Sequence, residues 1–120
     1  MLLNPEIQKH FAGLGAHSDV ASELCLAVKR LGDYEICGGG PGYAAVYCVT
    51  NGIVFCGASG MGSTLWRLRP EDVEIAVATG ARRTKLGPEW VEVMLYQANW
   101  PRPDLQHWAL RAYDHARTGK

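Results

Sequence analysis

Hydrophobic positions are densest between residues 43 and 69, where three runs are rich in β-branched and aromatic residues. The first two runs, residues 43–50 and 53–56, are separated by Asn51-Gly52, a dipeptide typical of two-residue hairpin turns because both positions need positive φ. The third run, residues 63–69, follows a glycine-rich segment at 57–62. The pattern predicts a three-stranded antiparallel meander around which the other elements pack.

Helical periodicity precedes the meander. The tripeptide Asn-Pro-Glu at positions 4–6 has the order of a helix start with Asn4 as N-cap, and Ile7 and Phe11 then fall on one face. Ser18 or Asp19 is expected to cap a second helix. The apolar stripe of this second helix consists of Val20, Leu24, Ala27, Val28 and Leu31.

Further helices and a further strand are predicted after the meander. A helix is expected to open at Pro70, residues 81–86 form a basic connection, and residues 90–95 form a further strand. Asp104 can cap a last helix. The buried stripe of this helix is expected to consist of Leu105, Trp108, Ala109, Ala112 and Ala116.

The predicted order of elements defines a fold class. With a short edge strand at residues 34–37, the order is α-α-β-β-β-β-α-β-α. This order predicts an α+β two-layer sandwich with an antiparallel sheet of about four to five strands and flanking helices. At 120 residues, the chain is expected to form a single α+β domain over positions 1–120.

Charge and hydropathy narrow the class of function. Twelve basic and twelve acidic residues give a formal net charge of zero, which argues against a general binder of nucleic acid or of membrane surfaces. No apolar run approaches the roughly 18 residues of a membrane span. Since no signal peptide is visible either, we expect a cytoplasmic protein.

The cysteines are expected to be free thiols. They are Cys25, Cys37, Cys48 and Cys56. None forms a C-x-x-C pair or has zinc-finger spacing to a histidine. A two-residue turn places Thr50 opposite Ile53 and Cys48 opposite Phe55, so that Cys48 and Cys56 lie on opposite faces of the sheet. A three-residue loop would place both on one face, and the two-residue turn is preferred.

The sequence offers no pattern that specifies a reaction. Residues 57–64 have the spacing of a P-loop, but Ser63 occupies the lysine position and a strand-like run follows where a helix is needed. The backbone amides of this segment could still form an anion-binding nest. The histidines His10, His17, His107 and His115 are expected at the surface. We therefore predict no catalytic residue, no metal site and no cofactor.

One group of residues suits an anionic ligand. Arg67 and Arg69 share a face of the third strand, Arg82 and Arg83 follow the next helix, and Trp66 is close in the chain. Guanidinium groups beside an indole can bind a planar anion or a carboxylate. The alternative is a solvated face whose charges are balanced by nearby acids.

The hairpin is apolar on both faces, which predicts a partner. One face is expected to carry Val46, Cys48, Ile53 and Phe55, and the other Tyr47, Val49, Val54 and Cys56. In an antiparallel sheet with one solvent-exposed face, apolar and polar residues should instead alternate along each strand. The helices suffice for one face, and Ile7 and Phe11 are the residues that could reach the other. We expect a homodimer or a partner protein to cover the second face. The expected interface residues are Tyr47, Val49 and Val54.

Several short motifs resemble a known family. They are Gly42-Tyr43, Ile53-Val54-Phe55, Trp66-Arg67-Leu68-Arg69-Pro70-Glu71, Trp90-Val91-Glu92-Val93 and, in the last helix, Tyr113. In the order and residue types of these motifs, the chain resembles the small bacterial TfoX N-terminal-like and YjbR-like domains. The C-terminal half of the chain is also similar to the small bacterial luciferase-like family. The resemblance implies an α+β fold and association with regulatory proteins, and it implies no catalytic residue.

Two hypotheses of function follow from the sequence. The first is a non-enzymatic bacterial domain that acts through protein–protein interaction. The second is a small-molecule binding protein that holds an anionic ligand with its glycine loops and arginines. An enzyme is the least supported class, because the sequence shows no nucleophile, metal set or acid–base pair.

Overall fold

The computed structural model describes residues 2–38, 44–96 and 104–118. The Gly42-Tyr43 motif lies outside the described residues. The helices within the described ranges are α1 (Pro5–Ala12), α2 (Ser18–Val28), α3 (Pro70–Ala78) and α4 (Leu105–Thr118). The strands are β1 (Glu35–Gly38), β2 (Val46–Thr50), β3 (Ile53–Ser59), β4 (Ser63–Arg67), β5 (Arg82–Thr84) and β6 (Gly87–Met94).

The six strands form one antiparallel sheet in the order β1-β2-β3-β4-β6-β5. The α+β class is confirmed, and the sheet has one strand more than the upper end of the prediction. The additional strand is β5, which was predicted as a basic connection. Because it is three residues long and carries Arg82 and Arg83, its sequence has the character of a loop.

The hairpin between β2 and β3 has the predicted turn but a different register beyond it. Thr50 pairs with Ile53 across Asn51-Gly52, both of which have positive φ. A bulge then makes Phe55 the extra residue of β3, so that Cys48 pairs with Cys56. The prediction that these two cysteines lie on opposite faces is wrong. One inserted residue exchanges the two faces of the sheet to which the following side chains of β3 point.

Three helices, α2, α3 and α4, pack on one face of the sheet, here called the helix face. The predicted stripe of α4 is confirmed, and the side chain of Trp108 is buried with it. Asp104 caps this helix as expected, since its Oδ1 accepts a hydrogen bond from the backbone N–H of His107 at 3.2 Å. None of the helices in the described ranges is long and apolar enough to cross a membrane.

The opposite face, here called the α1 face, is covered by α1 of the same chain. A second apolar cluster lies there, formed by Ile7, Phe11, Val54, Leu65 and Trp90. Residues 13–17 lead from this face to α2. The backbone N–H of Gly60 donates to the carbonyl of Gly15 at 2.9 Å, and the carbonyl of Gly60 accepts from the N–H of His17 at 2.8 Å. His17 provides the N-cap of α2, where Ser18 or Asp19 was predicted.

Asn4 fastens α1 to the sheet. It stands at the predicted N-cap position, but its side chain makes no cap hydrogen bond. Instead, Asn4 Nδ2 donates to the carbonyl of Val54 at 3.0 Å, and Asn4 Oδ1 accepts from the N–H of Val54 at 2.9 Å. One side chain thus satisfies both backbone groups of the residue beside the bulge, and the first turn of α1 is held against β3.

Phe11 packs directly on the backbone of β3 at Gly57. A Cβ at this glycine would lie 2.4–2.6 Å from three ring carbons of Phe11. The same ring lies 6.3 Å from the ring centroid of Tyr47 and 5.8 Å from that of Trp90. Gly57 was predicted to be in a loop, and its lack of a side chain is what admits α1 to the sheet.

We expect Gly57→Ala to lower the free energy of unfolding by about 1–3 kcal/mol, the usual cost of overpacking a buried site. Urea denaturation of the single variants and of the double variant with Phe11→Leu measures the coupling between the two positions. Phe11→Leu should remove part of the penalty of Gly57→Ala, because the methyl group would no longer meet an aromatic ring.

Gly13→Ala is the matched control, since the nearest atom to its new Cβ is a carbonyl oxygen at 3.5 Å and its φ is −85°. This change should alter the free energy of unfolding by less than about 1 kcal/mol. Equal denaturation midpoints for Gly57→Ala and Gly13→Ala would contradict the proposed packing.

Candidate functional site

The arginines predicted to form one basic cluster have different partners. Arg69 pairs with Asp114 of α4 at 3.0 Å, and Arg83 pairs with Glu74 of α3. Arg82 is exposed on β5. Arg69 and Arg83 are therefore each matched by an acid of a different helix of the chain.

Arg67 belongs to a buried cluster of charged and polar groups. Its Nη2 lies 3.1 Å from Glu89 Oε2, and His115 Nε2 lies 2.7 Å from the same oxygen. Arg67 and His115 are each 8% exposed, so the expectation of a surface position for His115 is wrong. Arg67 Nη1 and His115 Nδ1 are buried without a hydrogen-bond partner. Glu89 itself is half-buried, and Arg67 and Glu89 line a small cleft of about 170 Å³. The cluster links β4, β6 and α4.

Trp66 and the glycine segment do not form a ligand site either. Trp66 is fully buried on the helix face, and its Nε1 donates to Thr64 Oγ1 at 2.9 Å. Residues 57–59 are part of β3, and the backbone N–H of Gly60 donates to Gly15. One of the amides that an anion-binding nest would use, that of Gly60, is therefore already bonded within the chain.

The thiols form two classes. All four cysteines are free, as predicted, with Cys25 and Cys37 half-buried and Cys48 and Cys56 buried. Burial raises the pKa of the Cys56 thiol well above 9.0, and its hydrogen bond with Cys48 raises it further. Within the described residues, no group of three or more His, Cys, Asp and Glu side chains is placed to hold a metal ion.

The expected interface residues have separate environments. Val54 is fully buried beneath α1, so the view that it lies on an uncovered face is corrected. Tyr47 and Val49 are half-buried at the margin of α1, and the Tyr47 hydroxyl accepts a hydrogen bond from Gln8 Nε2 at 3.2 Å. The reason for the difference is that α1 covers the middle of this face and stops before its margin.

The position of α1 explains that margin. This helix packs against β2 and β3, and β1 is the next strand beyond β2 in the sheet order. Beyond α1, a groove of about 530 Å³ remains open beside β1. It is lined by Leu2, Gln8, Glu35, Cys37, Tyr47, Val49, Asn51 and Gly52.

A second groove lies on the helix face beside α2 and the start of β1. It has a volume of about 570 Å³ and is lined by Ser22, Cys25, Leu26, Lys29 and Tyr34. Leu26 is 57% exposed, and Ile36 of β1 is 41% exposed. Since Ile36 pairs with the core residue Cys48, it belongs to this same face. A groove thus lies beside β1 on each face of the sheet. The groove on the helix face is mainly apolar, whereas the one on the α1 face has a mixed polar and apolar lining.

The two edges of the sheet differ in how they meet solvent. Among the described residues, β1 and β5 each have one hydrogen-bonded neighbouring strand. Strand β5 is three residues long with Arg82 and Arg83 exposed, features that discourage pairing with another chain. Strand β1 contains no Lys, Arg or Pro, and its residues are mostly exposed. The β1 edge is therefore the available template for another strand.

Comparisons of the chain with protein-family models, curated proteins and solved structures found no match. The candidate site therefore stands on the geometry of the molecule. The sequence located an edge strand at residues 34–37 but gave it no role. Exposed apolar residues beside a strand without basic residues were the signal that could have identified it.

We expect the free energy of unfolding to fall as the pH rises above about 9, because the folded state retains the Cys56 proton that the unfolded state releases. This contribution is complete below the unfolded pKa and is lost as the pH passes through the raised folded pKa. For one proton the slope is about 1.4 kcal/mol per pH unit.

Urea midpoints between pH 7 and 10.5 measure the effect. The slope should be smaller in Cys56→Ala and unchanged in Cys37→Ala, a matched substitution of a half-buried thiol. Identical slopes in the two variants would show that Cys56 makes no such contribution.

Proposed function

We propose that this chain acts by binding another polypeptide, which adds a strand to the sheet at β1. The observation that carries the proposal is the position of β1, an edge strand among the described strands, with a mainly apolar groove beside it on the helix face and a groove of mixed polarity on the α1 face. Strand addition obtains affinity from main-chain hydrogen bonds and specificity from alternate side chains that enter pockets.

The two grooves define the chemistry of the incoming strand. On the helix face, Cys25, Leu26 and Tyr34 favour an apolar side chain. On the α1 face, Tyr47 and Val49 offer apolar contact, and the exposed carboxylate of Glu35 favours a basic or neutral neighbour. The proposed partner is therefore an extended segment with apolar side chains on one face and no acidic residue opposite Glu35.

This activity is non-enzymatic and fits a role in regulation or assembly. The resemblance to TfoX N-terminal-like and YjbR-like domains supports the same role in a bacterial cytoplasm. The pairing of Arg67, Arg69 and Arg83 with acids of the chain favours protein binding over the alternative of an anionic ligand.

Selection from a random library of eight-residue peptides tests the proposed strand addition. We expect the purified chain to select extended peptides, and the selected peptide should shift the NMR amide signals of β1 (Glu35–Gly38). Ile36→Lys should weaken the affinity by about tenfold or more, because it places a charge at the centre of the contact.

Ile75→Lys is the matched control, since Ile75 is a 52% exposed isoleucine on α3. It should leave the affinity within about twofold of the unmodified chain. Equal binding to both variants, or shifts confined to other strands, would contradict strand addition at β1.

A further inference from the structure

We infer that the added strand is β1 of a second copy, in a two-fold homodimer whose axis passes through Ile36. The inference rests on the proposed strand addition at β1 and names its partner. Self-association relocates the expected dimer contact from the face of the sheet, where Val54 is covered, to the edge.

Symmetry restricts the possible registers. In an antiparallel pair, residues directly opposite each other point to the same face. A two-fold axis perpendicular to the sheet keeps the helix face of both copies on one side. Residues that oppose each other must therefore have the same facing, and the axis must pass through a residue of β1 rather than between two residues.

Charge and shape select Ile36 among these axes. An axis at Glu35 would oppose two carboxylates, which is destabilising. An axis at Cys37 would oppose Ile36 to Gly38, which has no side chain to contact it, and an axis at Gly38 would oppose two glycines. An axis at Ile36 brings the two isoleucines together and places each Glu35 opposite Cys37 of the other copy. In this register the only charged residue of β1 meets a neutral residue.

A second copy also supplies the chemistry that the grooves require. Ile36 is the apolar residue that the helix face favours, and it is 41% exposed in the single chain. Leu26, beside the same groove, is 57% exposed. In a two-fold contact, each of these residues is buried in both copies. Closed two-fold dimers are also the commonest assemblies of soluble proteins.

Sedimentation equilibrium and register-specific cross-linking test the inference. We expect the unmodified chain to sediment as a dimer at 100 µM, and Ile36→Lys to sediment as a monomer. For cross-linking, Ile36→Cys is made in a chain with Cys25→Ser and Cys37→Ser, which removes the two half-buried thiols. Diamide, which accepts two electrons and two protons, then oxidises the paired thiols to a disulfide.

The matched reporter is Glu35→Cys in the same background. Directly opposed Cα atoms lie about 4.5–5.5 Å apart, within the range of a disulfide, whereas Glu35 in the proposed register opposes residue 37 of the other copy. We therefore expect the disulfide-linked dimer to form at least tenfold faster for Ile36→Cys than for Glu35→Cys. Circular dichroism confirms that each variant is folded.

The outcomes separate this inference from the proposed function. A monomer at 100 µM overturns the second copy, and the proposed function still stands if the selected peptide shifts the β1 amides. A dimer that persists in Ile36→Lys, or that cross-links equally at both reporters, also overturns the inference. Failure of both the dimer and the peptide contact at β1 overturns the proposed function as well.

Discussion

The structure depends on covering a sheet that is apolar on both faces. Three helices pack on the helix face, but the opposite face is covered by α1, a helix of 8 residues. That helix reaches the sheet only because Gly57 leaves room for the ring of Phe11, and Asn4 bonds to the backbone of Val54. Because α1 is centred on β2 and β3, the margin of the sheet at β1 stays open. The candidate site is thus a consequence of incomplete coverage.

Local signals in the sequence were sufficient for much of the fold. Asn51-Gly52 determines its turn because few other residues accept positive φ at both positions. The stripe of α4 and its Asp104 cap are also local, since helical spacing and capping act within one or two turns. The α+β class follows from the order of such elements.

Features that depend on distant packing were not predictable. The bulge at Phe55 moves Cys56 to the helix face, where the ring of Phe55 lies 6.0 Å from that of Tyr113 in α4. Nothing near Phe55 in the sequence specifies a contact with a residue so far along the chain. The side chain of Asn4 likewise matches a local capping pattern and bonds to β3 instead.

The candidate site also combines features that the local sequence specifies with features that depend on distant contacts. The sequence reveals the arginines but not their partners, and Arg69 meets Asp114 across 45 positions of the chain. The strand at residues 34–37 was predicted as an edge strand, and the sheet order confirms its place. The grooves beside this strand were not predicted, because they are lined by residues of α1, α2, β1 and β2 that are distant in the chain.

Amide hydrogen exchange at the two edges of the sheet tests the central claim most directly. The measurement compares β1 (Glu35–Gly38) with β5 (Arg82–Thr84), with and without a saturating peptide selected for binding. Strand addition at β1 predicts slower exchange at the amides of β1 that do not bond to β2, and unchanged exchange throughout β5. Unchanged exchange at β1, or equal slowing at both edges, would contradict it.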